Sequence, residues 1–416
     1  MSFIKFLLWL SLGIVFYAYA GYAAVIGLLS RLFGQAEQRN PGYQPLVTTL
    51  IAAHNEEDCI EAKILNCLDQ SYPASKHEIV VVSDGSNDNT PQIVEKYADR
   101  NVVSLYESAR NGKTAAVNRA MRQVKGEIVV LSDANNMYNR DAVANLTRHF
   151  ADPKVGCVSG EKRILKTGEA PTSGGEGLYW KYESFLKKCD SAFYSVVGAA
   201  GEIYAVRREL YSPPPKDCLL DDFIVSMEIA QQDYRVIYEP EAISYETGSA
   251  SLRDEYKRRS RIFCGGFQSV ARLPRLMNPL RGRLWFQYFS HRVLRWVVTP
   301  FLVPAIFALN IPLARRSAFY RLLLLGQVLF YVLGLIGLRQ LDRSDKKPNL
   351  VLYIPAYFSF IHLAQLSGFR RWVAGRETGV WVRAQRAGVT NPGLGLSAGA
   401  GADASSPQAS DKAVSN

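Results

Sequence analysis

Residues 3–30, FIKFLLWLSLGIVFYAYAGYAAVIGLLS, carry one charge, Lys5. A run this long and this apolar suffices to cross a bilayer. The small residues of AYAGYAA would suit a signal-peptide cleavage point, but the apolar run continues past them, so a retained span over 1–32 is expected. Further apolar runs lie at about 296–313, 318–338 and 349–367. Segment 283–296 reads either as an interfacial amphipathic helix or as an extension of the first of these runs, so 283–367 is expected to hold an interfacial helix and about three spans. One span before the intervening block and three after it would place the C-terminus opposite that block. Yet RQLDRSDKKPN and GFRRWVAGRETGVWVRAQR are both basic, so whichever faces outward breaks the positive-inside trend.

The block between these runs holds about 240 residues, ample for one hydrophobic core. Net charge is +11, and residues 251–300 alone carry eleven Arg or Lys against Asp254 and Glu255. Because this basic stretch abuts apolar spans, anionic membrane lipids are the expected partner and nucleic acid is not. The six cysteines form no CxxC pair, so they read as core thiols of a cytoplasmic domain held at the inner membrane, not as a disulfide frame or zinc site.

Within the block, β-branched runs alternate with helical patterns. LVTTLIAA (46–53), EIVVVS (78–83), NVVSLY (101–106), EIVVLSD (127–133) and VGCVSG (155–160) read as strands. Between them the pattern predicts helices at about 56–70, 90–98, 113–124 and 140–150. This is an α/β domain over 46–275 with a doubly wound, mostly parallel sheet. PTSGGEGLYW reads as a Gly-rich loop, followed by a helix at about 178–190. The small, polar residues 392–416 read as disordered.

Open parallel sheets bind ligands beyond the carboxyl ends of their strands. His54, Asn55 and Glu56 follow the first strand, Asp84 and Ser86 the second, and Asp133 ends the fourth. Taken singly, each has an ordinary explanation: DGSND is good turn chemistry, and Asn55 or Asp88 would cap a helix. Lys113 sits in the first turn of a helix after a flexible RNG loop, where it suits a phosphate or is merely a solvated turn lysine. Asp133 and Asn135 offer two hard oxygens two residues apart, suited to one divalent cation such as Mg²⁺ or Mn²⁺. In CLLDDF, Asp221 suits a helix N-cap, leaving Asp222 in the first turn. Side chains one residue apart point about 100° apart on a helix, so one caps while the other faces a cleft. Its apolar neighbours would raise the Asp222 pKa towards that of a general base. Trp180, with Tyr179 and Tyr182, lines either the core or an acceptor site.

AAHNEE, VVSDGSNDNT, NGKTAAVN, LSDANN, GAAGEIYAVRR and LLDDF…YEPEA occur in the order of the membrane-bound family 2 glycosyltransferases, the chitin, hyaluronan, cellulose and poly-N-acetylglucosamine synthases. The resemblance covers about 47–270 and the membrane layout. It implies a GT-A fold, a nucleotide-sugar donor (a UDP-sugar), a divalent cation, a glycan or lipid acceptor, and inversion at the anomeric carbon, in cell-wall or extracellular polysaccharide synthesis. Carried over by motif, Asn55, Glu56, Asp84 and Ser86 would hold base and ribose, and Lys113 the diphosphate. Asp133 and Asn135 would occupy the DxD positions, and Asp222 would be the base. Gly201, Glu202, Asp221 and Trp180 would lie on the acceptor side. The QxxRW motif survives only as RRSRI, which keeps Arg261 for the diphosphate and puts Ile262 in place of the aromatic residue.

Overall fold

The computed structural model describes residues 2–165, 173–247, 251–343, 348–375, 377 and 379; the tail expected at 392–416 lies outside them. The N-terminal run is helical throughout Ser2–Phe33, as α1 (Ser2–Phe16), a widened π-type turn and α2 (Tyr22–Phe33). The domain then alternates β1 (Val47–Ala53), α3 (Ile60–Leu68), β2 (His77–Asp84), α4 (Thr90–Glu95), β3 (Val102–Glu107), α5 (Lys113–Ala120) and β4 (Ile128–Asp133). Its second half comprises β5 (Met137–Tyr138), α6 (Ala142–Thr147), β6 (Val155–Leu165), α7 (Ser173–Phe193), β7 (Ile203–Arg207), α8 (Asp221–Gln231), β8 (Arg235–Thr247) and α9 (Leu252–Arg272). Then come α10 (Arg283–Gln287), a π-type stretch Tyr288–Val298, α11 (Thr299–Ala314), α12 (Ala318–Arg343) and α13 (Leu350–Val373).

One eight-stranded sheet runs in the order β3-β2-β1-β4-β7-β6-β8-β5. The first four strands in that order are parallel, as their continuous apolar runs predict. Beyond them β7 is antiparallel to both β4 and β6, and β8 returns parallel to β6. Alternate residues of β1 serve opposite faces: Leu50 packs with Val117 of α5 and Phe223 of α8, while Ile51 packs with Ile60 and Ile64 of α3. Each such fully buried aliphatic side chain contributes about 1.5–3 kcal/mol, so the two-sided burial fixes strand register. All six cysteines are buried thiols. The Gly-rich loop expectation fails from Ser173 onward, where α7 has already begun; α7 packs along α2, and tertiary support overrides glycine's poor propensity.

Among the described residues, four helices are long and apolar enough to cross a membrane: Ser2–Phe33, Arg283–Ala314, Ala318–Arg343 and Leu350–Val373. Segment 283–296 is continuous with the second of these and is not a separate surface helix. Much of the basic stretch is also paired within the protein. Arg295 donates to Glu183 at 2.6 Å, and His291 Nδ1 lies 2.6 Å from Asp190, whose other oxygen accepts from Tyr22. Arg258 and Arg259 both pair with Glu255, and Arg272 pairs with Asp217. Buried charges persist only with such partners: Arg295 and His291 tie the apolar segment to α7, while the pairs of Arg258, Arg259 and Arg272 lie within the domain.

Candidate active site

The sheet topology collects the site. β1, β2 and β4 end at one edge, which presents His54, Glu56, Asp84 and Asp133. Because β7 runs antiparallel to β4, its beginning reaches the same edge and brings Gly201 and Glu202. β6 and β8, parallel to each other, run to the same edge, where Glu246 of β8 lines the cavity and Lys162 of β6 pairs with it. The N-terminus of α8 adds Asp221 and Asp222, and α9 forms a wall with Arg258, Arg261 and Ile262. Together they enclose an open cavity of about 760 Å³, within the usual range for small-molecule sites.

On one side, the Asp84 carboxylate accepts the backbone N–H groups of Asn111 (3.0 Å) and Gly112 (2.7 Å). Gly112 has φ +91°, which a side chain would disfavour, and it starts α5. This turn aims Lys113, whose Nζ donates to Asp133 Oδ1 at 2.6 Å. Burial pulls the Lys113 ammonium down, but Asp133, Asp221 and Asp222 outweigh it and hold the pKa above the usual lysine value. Asn135 also lines the cavity, and its Oδ1 is buried without a hydrogen-bond partner among the described residues. An orphaned amide oxygen two residues from a carboxylate is a fitting donor set for a hard divalent cation.

On the other side, buried Lys162 bridges Glu202 and Glu246. Burial alone would raise the Glu202 pKa, but Lys162 and Arg258 hold it down at about 2. Glu202 is therefore a fixed anion. Asp222 differs: burial first, and the charge of Asp221 second, push its pKa up to about 7, against the pull of Lys113. A carboxyl brought to the neutral range is suited to taking up a proton.

The structure thus brings Glu56, Asp84, Lys113, Asp133, Asn135, Gly201, Glu202, Asp221, Asp222 and Arg261 to one cavity. Asn55 and Ser86 do not face it. Ser86 Oγ accepts from Asn55 N–H, and Asn55 Oδ1 accepts from Asn87 N–H, so they brace the two turns against each other. Trp180 also lies off the cavity, with Lys162 5.8 Å from its ring centre. Asp221 makes no cap bond: Leu220 holds the N-cap position. Packing sets the entry of α8 instead, since Leu219 and Leu220 lie tightly against Gly265 of α9. His54 also lines the cavity, its Nδ1 2.7 Å from the Asp84 carbonyl, and among residues the sequence reading left out are Arg371 and Glu377, which pair at the rim. Nothing local marks the rim pair, about 150 residues from Asp222 in sequence.

Residues 48–211 match the model of glycosyl transferase family 2. The chain is 28% identical over 235 residues to a poly-beta-1,6-N-acetyl-D-glucosamine synthase of Staphylococcus aureus, and 27% over 237 residues to one of Staphylococcus epidermidis. Each match covers 54% of this chain and 56% of the relative, so the chain spans little more than half the length of the curated relatives it matches. A mannosyltransferase from Pyrobaculum calidifontis, solved with GDP-Man and Mn²⁺, superposes with a TM-score of 0.69 at 24% identity, covering 89% of this chain and all of that one. That likeness shows the GT-A fold.

Proposed function

Residues 48–211 being a family 2 glycosyltransferase domain, we propose that the chain transfers a sugar, with inversion, from a nucleotide-sugar donor to a glycan hydroxyl at the cytoplasmic face of the inner membrane, in making a cell-wall or extracellular polysaccharide. The observation that carries this reading is the meeting of Lys113, the Asp133–Asn135 pair and Asp222 in one cavity, from segments far apart in sequence. The solved mannosyltransferase holds a nucleotide sugar and Mn²⁺, and the curated relatives are polysaccharide synthases, which supports the same class of donor and product.

In this reading Glu56 and Asp84 border the nucleoside, while Lys113 and Arg261 face the diphosphate from opposite walls. Asp133 and Asn135 would hold Mg²⁺ or Mn²⁺, which when bound would neutralise charge on the departing diphosphate. Asp222 accepts the proton of the acceptor hydroxyl. The freed oxygen lone pair forms the bond to the anomeric carbon, and the bond from that carbon to the diphosphate oxygen breaks, its electrons leaving with the nucleoside diphosphate. Glu202, already ionised, and Asp221 flank the acceptor.

A second reading, transfer of one sugar to a lipid acceptor, is favoured by Ile262 at the cavity wall, in the position where the QxxRW motif that RRSRI resembles has its aromatic residue. Purified protein should release nucleoside diphosphate from a UDP-sugar or GDP-mannose when acceptor is present. Ladders of product length would support the polymer reading, and a single addition to extractable lipid would support the second. No metal-dependent release with any donor would refute both and leave a non-catalytic subunit of an export complex.

A further inference from the structure

The cavity wall contains residues from both ends of the membrane segment. Arg258, Arg261 and Ile262 come from α9, before the first of the later apolar helices, and Arg371, Glu377 and Gly379 come from the end of α13 and beyond. Gly368 of α13 lies so close to α9 that an added Cβ would sit 2.8 Å from Cys264 N. The chain therefore leaves the catalytic body and returns to the same side of it. Only an even number of crossings permits this, but three candidate helices lie between.

Contacts along α13 identify the odd one. Leu352 and Pro355 meet Gly337 and Gly334, in the later turns of α12. Phe358 packs on Phe330 at 5.5 Å. His362 lies 3.1 Å from the Tyr19 hydroxyl, and Gln365 donates to the Arg295 carbonyl at 2.8 Å. Phe369 packs on Phe301 at 4.9 Å and on Phe267 of α9 at 5.2 Å. These partners run from the later turns of α12 to its midpoint, then to the middle of the N-terminal helix, the start of α11 and α9. At the opposite end, Asn310 meets Gln327 and Trp9 meets Tyr320. So the first turns of α13 pack antiparallel on the later half of α12, and its last turns leave α12 for the start of α11 and for α9, on the side of the domain.

We propose that α13 does not cross the membrane: it rests in the lipid interface on the catalytic side, so that both the segment following α12 and the segment following α13 share that side with the domain. Its exposed Leu350, Val351, Ile354 and Leu363 meet lipid, while His362 and Gln365 turn inward. Arg370, Arg371 and Trp372 at its end suit the headgroup level. Its mean hydropathy, 1.4 against 1.9 and 2.0 for the helices before it, fits a surface position. The arrangement also removes the charge conflict, since RQLDRSDKK and RRWVAGR fall on one side. This inference does not depend on the reaction proposed above.

Because the native cysteines are buried, single cysteines can report sidedness in the full-length protein in sealed vesicles with a membrane-impermeant maleimide. Lys96→Cys in the domain, Arg343→Cys after α12 and Ala374→Cys after α13 should label from one face, and Arg316→Cys in the α11–α12 turn only from the other. An epitope tag after Asn416 checks the C-terminal side without a substitution. Labelling of Arg343→Cys from the face of Arg316→Cys would mean that α13 crosses, and labelling of Ala374→Cys opposite Lys96→Cys would mean that all three helices cross; either overturns the proposal. Spin labels at Ile354→Cys and Leu363→Cys add a depth test. The two sites are nine residues apart, about 13 Å along a helix; equal shallow depths support the interfacial position, and depths differing by roughly that length refute it.

Discussion

Replacing Asp222 by Asn tests the raised carboxyl pKa and the assigned role together. The ordinary value is 3.8, and in the folded protein the group titrates at about 7. A shift of about 3 units corresponds to roughly 4 kcal/mol. The side chain borders an open cavity, and solvent screening reduces this to about 2 kcal/mol. The sign follows from linkage. Between pH 4 and 7 the unfolded chain has already lost this proton and the folded protein has not, so stability falls as pH rises through that window. Asparagine carries no such penalty. The variant should therefore match the wild-type protein near pH 4, pull ahead through pH 5 and 6, and stay more stable above pH 7. At about 2–4 °C per kcal/mol for a domain of this size, the plateau gap is roughly 4–8 °C. Thermal unfolding of both proteins in detergent, from pH 4 to 8.5, measures it. Turnover should fall by about 10²–10⁴, the usual worth of a general base, and wild-type kcat/KM should rise with pH to a plateau above about 7. A stability gap independent of pH, or a folded Asn variant at full turnover, would refute the reasoning.

Gly201→Ala should leave stability nearly unchanged yet impair turnover by about tenfold or more: its Cβ would sit 2.9 Å from Asp222 Oδ2, and the carboxylate, the more mobile partner, would tilt away from the acceptor. Lys162→Met leaves the buried Glu202 and Glu246 without their shared cation and should cost about 3–5 kcal/mol, read as a large loss of Tm or of folded yield. Lys162→Arg should recover part of that loss. Chelation of divalent cations should abolish nucleotide release, and added Mg²⁺ or Mn²⁺ should restore it; release unaffected by chelator would remove the Asp133–Asn135 pair from the reaction.

The parallel half of the sheet was legible because its strands are buried on both faces, so their runs of Val, Ile and Leu announce themselves without partners. The edge residues Glu56, Asp84, Lys113 and Asp133 followed from those strands, since chain direction alone decides which end of a parallel strand faces a ligand. The pair Asp221–Asp222 was visible as an oddity, but its division of roles was only half read. Burial and the charge of Asp221 do push the Asp222 pKa up, whereas the expected cap bond of Asp221 is absent because packing on α9 sets the entry to α8. Asn55 and Ser86 were placed correctly in sequence and wrongly in orientation: hydrogen bonds between two turns, 31 residues apart, decide where they point.

By itself the sequence determined that apolar helices flank an α/β domain and that acidic and amide side chains gather at one strand edge. Both are properties of local periodicity and chain direction. Only the tertiary structure decided that Lys162 fixes Glu202 as an anion, that most of the basic stretch is spent on internal ion pairs, and that α13 ends at the cavity. Hydropathy measures the affinity of a segment for an apolar setting; it does not measure the direction in which that segment lies. Burial, pairing and direction depend on what the rest of the chain brings into contact, and a window along the sequence does not hold that information.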